Sequence, residues 1–209
     1  MHGTMIEPNL SPGGVTVVPE GMAVTDVLPA IPKVPKGIAI LGSHPATVMQ
    51  APFDDDWLIY ACSPHNYEKR QLPRHDAWFE VHIPLTDQTR AYDYLKYLET
   101  LPLVWMRDQA AIKHFPGAKL YPEREMIEKF GPFFLDTSSI AYMLAKAISD
   151  CEEHGIKQIG MWGIMQASPN EYQYQRPGIQ YFIQMAVNRG IKVLCPPESK
   201  LFEPQQVKF

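Results

Sequence analysis

Phe134-Leu-Asp-Thr-Ser-Ser139 leads into an apolar stretch ending at Gly155, then Lys157-Gln-Ile-Gly-Met-Trp-Gly163, a polar loop, a second periodic stretch, and Ile191-Lys-Val-Leu-Cys195-Pro-Pro197. Thr137 or Ser138 is a side-chain cap for a helix start. Ile140, Met143, Leu144, Ala147 and Ile148 repeat at helical spacing, and Gly155 marks the stop. Lys157–Gly163 is a short apolar run between turn residues, which predicts a strand. Gly178–Asn188 predicts a helix stopped at Gly190, and Ile191–Cys195 a last strand closed by two prolines. Helix, strand, helix, strand in this order is half of an α/β domain.

The rest of the chain extends the alternation. Gly37-Ile-Ala-Ile-Leu-Gly42, Trp57-Leu-Ile-Tyr-Ala-Cys62, Ala77-Trp-Phe-Glu-Val-His82 and Leu103-Val-Trp-Met106 predict four further strands. Helices are expected over Asp87–Leu98 and Glu123–Phe130, with Pro122 before the second and Gly131-Pro132 after it. Arg107–Pro122 reads as irregular. The whole predicts a single α/β domain over residues 37–209, with a mainly parallel sheet covered by helices. Residues 1–36 differ: six prolines and four glycines punctuate them, which prevents a regular helix and weakens sheet pairing. They read as an extended arm, either disordered or laid along another subunit of a homo-oligomer or virion.

A chain of 209 residues with 45% hydrophobic residues fits one ordinary domain. Its net charge of −4 argues against general nucleic-acid binding, which requires a basic surface. Cys62, Cys151 and Cys195 are odd in number and widely separated, so free thiols in a reducing compartment are expected. There is no basic-then-apolar leader pattern, and no apolar run approaches the roughly 20 residues needed to cross a bilayer. A cytoplasmic location in the producing cell is therefore expected, with no membrane partner.

In an open α/β sheet, ligands bind beyond the carboxyl ends of the strands. Polar residues gather there in this sequence. Gly42, Ser43 and His44 follow the first strand, and Ser63, His65 and Asn66 follow the second. The third ends on Glu80 and His82, two apart and hence on one face, as an acid/base pair or as a histidine bound within the sheet. Thr137, Ser138 and Ser139 begin a helix whose free N–H groups and dipole suit an anion such as a nucleotide phosphate, although capping alone also explains them. Tyr172, Tyr174 and Arg176 form an aromatic loop suited to stacking on a base or sugar, or to packing on itself. Gly42-Ser-His-Pro lacks the Lys-Ser/Thr of a P-loop. His44, His65 and His82 have no diagnostic metal spacing, and no metal is expected.

Taken together, Gly42-Ser-His-Pro-Ala-Thr47, Asp76-Ala-Trp-Phe-Glu-Val-His82, Leu101-Pro-Leu-Val-Trp-Met106, Thr137-Ser-Ser-Ile-Ala-Tyr-Met-Leu144 and Glu171-Tyr-Gln-Tyr-Gln-Arg-Pro-Gly178 resemble a group of bacteriophage proteins with a Rossmann-like fold. The resemblance spans about residues 37–200. More distantly, the motif order is similar to the family 42 sialyltransferases and to archaeal-type hydroxymethylpterin diphosphokinases. In the sialyltransferases the stretches corresponding to Gly42–Thr47, Ser63–Tyr67 and Thr137–Ser139 hold a nucleotide-sugar donor. The resemblance thus implies a nucleotide or nucleotide-sugar ligand, no covalently bound cofactor, and a glycosyltransferase-like activity. His82 or Glu80 would be the base, with Tyr172 and Tyr174 as a lid. Two departures point instead to a non-catalytic binding, assembly or virion-associated protein. Related chains commonly carry an acid where this one has Met165, and no histidine follows His154.

Overall fold

The computed structural model describes residues 34–69, 72–85, 92–166 and 174–202. The first 33 residues of the proline-rich arm, and Tyr172 of the aromatic loop, lie outside the described residues.

Among the described residues seven strands form one sheet: β1 (Gly37–Leu41), β2 (Trp57–Cys62), β3 (Ala77–Glu80), β4 (Val104–Met106), β5 (Ala118–Leu120), β6 (Gln158–Trp162) and β7 (Lys192–Leu194). Their order is β5-β4-β3-β2-β1-β6-β7, and all six pairings are parallel. The fold is therefore α/β and Rossmann-like. Among the described residues six helices accompany the sheet: α1 (Pro45–Val48), α2 (Pro64–Lys69), α3 (Tyr92–Glu99), α4 (Glu123–Phe130), α5 (Ser139–His154) and α6 (Arg176–Asn188).

Strand alternation divides the core into two layers. Ile38 and Ile40 of β1 join the cluster containing α4, α5 and α6, while Ala39 and Leu41 join the cluster containing Val48, Tyr94 and Leu98. Adjacent residues on a strand face opposite sides, so a strand covered on both faces must be apolar throughout. All five residues of β1 are accordingly buried. Helix α5 is buried almost all round, as its continuous run from Ile140 to Leu144 requires of a central helix.

Three elements differ from the sequence expectation. Arg107–Pro122 is not wholly irregular: it contains a 3-10 turn at Ile112–His114 and the edge strand β5. That strand is only three residues long and largely exposed, so no apolar run announces it. The short helices α1 and α2 stand where only polar turns were expected. Each begins on a proline, whose fixed φ and missing N–H suit a first helical turn.

The topology fixes where a ligand crevice belongs. From central β1 the chain steps outward through β2, β3, β4 and β5, then returns to the other side of β1 for β6 and β7. Connections therefore diverge at β1 and β6, and the carboxyl ends of these two strands form the switch point.

Candidate functional site

An open cleft of about 1020 Å³ lies at that switch point. It is lined by Gly42, Ser43 and His44 after β1, Ser63 and His65 after β2, His82 after β3, and Thr137, Ser138 and Ser139 at the start of α5. Residues from four separate strand or helix ends thus converge on one space. Arg107, Asp136, Tyr142, Gln166 and Gln175 join them. Their signal is positional: Arg107 follows β4, Asp136 precedes the α5 start, and Gln166 follows β6.

The floor is a close backbone contact between the ends of β1 and β6. Gly42 N–H donates to Trp162 O at 2.8 Å, and His44 N–H to Gly163 O at 2.9 Å. Gly163 N–H donates to the Thr47 hydroxyl at 2.8 Å. A Cβ on Gly42 would lie 2.3 Å from Gly163 O, and one on Gly163, where φ is +68°, would lie 2.6 Å from Gly42 O. Both positions need glycine because the two chains touch through backbone alone. These bonds occupy the Gly42 and His44 amides. The cleft-lining Ser43 has no hydrogen-bond partner among the described residues. His44 is the N-cap of α1, its Nδ1 accepting from Ala46 N–H at 3.3 Å.

Asn66 does not line the cleft. It is 2% exposed, and its amide donates to Gly42 O at 3.1 Å and Cys62 O at 2.7 Å. It therefore braces the turns after β1 and β2 from beneath. Ser63 sits above it with φ of +84°, in the left-handed region, and its hydroxyl accepts from His65 N–H at 3.2 Å. Gln166, with φ of +52°, is the other cleft-lining non-glycine residue in that region. Such backbone is disfavoured for residues with a side chain, and it concentrates at functional sites.

Glu80 and His82 are in contact but differ in exposure. Glu80 is buried at 2% exposure, whereas the His82 side chain is 54% exposed in the cleft. Their Oε1 and Nδ1 atoms are 2.5 Å apart. Glu80 Oε2 accepts from the Tyr94 hydroxyl at 2.8 Å, and that hydroxyl accepts from Trp78 Nε1–H at 2.9 Å. Burial and the neighbouring Glu80 charge push the Tyr94 phenol well above its ordinary range, so it stays a donor. A carboxylate accepting at Nδ1 fixes the imidazole orientation and leaves Nε2 as the proton acceptor. A buried chain, Trp78 to Tyr94 to Glu80, thus ends on the exposed imidazole of His82.

Ser138 caps α5, its hydroxyl accepting from Ala141 N–H at 3.1 Å. Thr137 donates its hydroxyl to Phe134 O at 2.6 Å. These two side chains serve the fold. Ser139 and the first-turn amides of Ser139 and Ile140, which have no intrahelical acceptor, remain at the cleft wall. Among the described lining residues Arg107 is the only lysine or arginine. Its Nη1 pairs with Asp136 at 2.9 Å and its Nη2 with Glu123 at 2.9 Å, and its guanidinium lies 4.6 Å from the centre of the Tyr142 ring. The Tyr142 hydroxyl lies 3.0 Å from Asp136 Oδ1. Burial pushes this phenol up as well.

Two residues of the aromatic loop are placed away from the lining. Tyr174 is 62% exposed outside it. Arg176 is 1% exposed, with Nε donating to Leu201 O at 2.9 Å, which ties α6 to the C-terminal segment. Cys62 lines the cleft, but burial raises its thiol to about 12, which makes it a poor nucleophile. The rings of His44, His65 and His82 do not bring three ligand atoms within metal-binding reach. Among the described residues only Asp150, Glu153 and His154 do so, and Asp150 is already bonded to Tyr60 and Lys146.

No family model matches the chain, and no curated protein or solved structure matches it.

Proposed function

We propose that the switch-point cleft binds a nucleotide-type ligand and that His82 acts there as a general base in group transfer, in the manner of a nucleotide-sugar-dependent glycosyltransferase. The observation that carries this reading is the Glu80–His82 pair at 2.5 Å, buried on one side and open to the cleft on the other. A transferase that activates an acceptor hydroxyl needs one group to take its proton and another to orient that group. His82 Nε2 and Glu80 meet these two needs. The first-turn amides of Ser139 and Ile140 offer donors to a ligand phosphate, whereas the Arg107 guanidinium beside them is already paired with Asp136 and Glu123. The motif resemblance to phage Rossmann-like proteins supports a bacteriophage setting.

Thermal denaturation with a panel of nucleoside mono- and diphosphates and non-hydrolysable nucleotide sugars tests the ligand. Wild type is expected to be stabilised by at least one of them. His82→Ala is expected to keep that stabilisation and to lower turnover by about 100-fold or more, the usual worth of a positioned base. The reading fails if no nucleotide raises the melting temperature.

Met165 favours a second reading. It lines the cleft after β6, where an acidic residue would have assisted catalysis, and brings only an apolar thioether. On that reading the cleft binds its ligand without turning it over. His82→Ala would then leave the biological readout of the bound state intact.

A further inference from the structure

Gln166 is a cleft residue whose chemistry the reading above leaves unused. Its side chain is almost wholly buried, at 3% exposure, yet it lines the cleft. Its Nε2 donates to Gln175 Oε1 at 3.3 Å. Its Oε1 has no hydrogen-bond partner among the described residues. A buried amide oxygen without a partner is destabilising, so folded proteins seldom keep one without a use.

The backbone that carries Gln166 is held in place. Ser199 donates its hydroxyl to Ile164 O at 2.7 Å, and Lys200 N–H donates to Met165 O at 3.0 Å. Gln166 itself is in the left-handed region. The C-terminal segment thus pins the strand end that sets Gln166 in the wall of the cleft, with its amide oxygen shielded from solvent. Gln175 stands at the N-cap of α6 but makes no capping bond. With its carbonyl taken by Gln166, its own amide N–H groups remain at the cleft wall. The two side chains together present an acceptor, Gln166 Oε1, beside a donor, Gln175 Nε2.

We infer that Gln166 and Gln175 form a specificity subsite that reads a hydrogen-bond donor of the ligand, with Gln166 Oε1 accepting an N–H or O–H and Gln175 Nε2 meeting an adjacent acceptor. This inference rests on the nucleotide reading and names what that reading leaves open, the uncharged part of the ligand that the cleft recognises. An adjacent donor and acceptor occur on the edge of a nucleobase and on a sugar diol. Fixed amides in a buried wall discriminate strongly, because a ligand lacking the donor leaves the oxygen unpaired again.

The test is binding to the full-length protein, measured by calorimetry with adenosine, guanosine, cytidine and uridine monophosphates, ribose 5-phosphate and a free hexose. Wild type is compared with Gln166→Met and Gln175→Met. Methionine matches the length of glutamine without its polar atoms. The subsite predicts that Gln166→Met has a melting temperature equal to or above that of wild type, because an unsatisfied buried acceptor is removed. It also predicts that the best-binding probe loses tenfold or more in affinity in Gln166→Met, and loses affinity in Gln175→Met. Discrimination among the four bases that collapses in Gln166→Met assigns the subsite to the nucleobase. An equal loss for all four and for ribose 5-phosphate, or for the hexose, assigns it to a sugar. Nucleotide binding that neither variant weakens overturns the subsite and leaves the nucleotide reading standing. A Gln166→Met protein that unfolds several degrees earlier shows the amide to be structural and also overturns it. Failure of every probe to bind wild type removes the nucleotide reading and the subsite with it.

Discussion

Replacing Tyr94 by Phe removes one buried oxygen and tests whether the chain behind His82 is a working unit. Tyr94 is 1% exposed, and Phe fills the same space, so no cavity is created. Two bonds are lost: the donation to Glu80 Oε2 at 2.8 Å and the acceptance from Trp78 Nε1–H at 2.9 Å. A hydrogen bond to a charged group contributes about 1.5–3 kcal/mol, and stranding a buried indole N–H costs about 1–3 kcal/mol. Because the bonds share one oxygen and the surroundings relax, a combined loss of about 3 kcal/mol is expected rather than the sum of the upper values. For a domain of this size that lowers the melting temperature by about 6–12 °C. The Tyr94 phenol is held above its ordinary range by burial and by Glu80, so the loss should be the same across the neutral pH range. Calorimetric unfolding gives the first readout. Nitrogen NMR of the His82 imidazole gives the second, where a shift in tautomer balance is expected because Glu80 is held less firmly. A variant that melts within about 1 °C of wild type with an unchanged His82 spectrum would refute the relay.

Gly42→Ala should destabilise the fold by about 2 kcal/mol or more and abolish ligand-induced stabilisation. The new Cβ would meet Gly163 O at 2.3 Å and force the two strand ends apart, as chemical denaturation will show. Burial lowers the pKa of His75, which packs on Trp78 with ring centres 5.1 Å apart. A depressed folded pKa means that the unfolded chain takes the proton first. The stability contributed is thus present above the ordinary value of 6.5 and falls as pH drops below it, a slope that His75→Phe should reduce in urea titrations at graded pH. Cys62 and Cys151, both raised to about 12 by burial, should resist a thiol reagent at pH 8 in the native protein and react fully in denaturant. Rapid native labelling of either would contradict their placement.

The parts of the molecule legible in the sequence were those governed by continuous burial. β1 and β2 are apolar throughout because helices cover both their faces, and α5 shows its period because it crosses the centre of one layer. β5 was hidden because an edge strand of three exposed residues needs no apolar run. At the cleft, the sequence located strand ends but not the direction of side chains. Thr137, Ser138, Ser139, His44, His65 and His82 meet as strand-end logic suggests. Asn66 and Arg176 are of the same chemical types, yet they face inward to bond backbone carbonyls. Nothing in a run such as Ser63-Pro-His-Asn66 distinguishes an amide that binds a ligand from one that braces two turns. What sets Gln166 apart from other polar residues at strand ends, its unpaired oxygen, is a property of the folded arrangement alone.

The central claim is that Gly42–His44, Ser63–His65, His82 and the start of α5 bind one ligand together. Amide NMR of the full-length protein titrated with the nucleotide panel tests it most directly. A single nucleotide is expected to shift Ser43, Ser63, His82, Ser139 and Ile140 with one common dissociation constant. Shifts absent from these residues, or confined to the separate groove between Leu120 and Ile127 on β5 and α4, would contradict it.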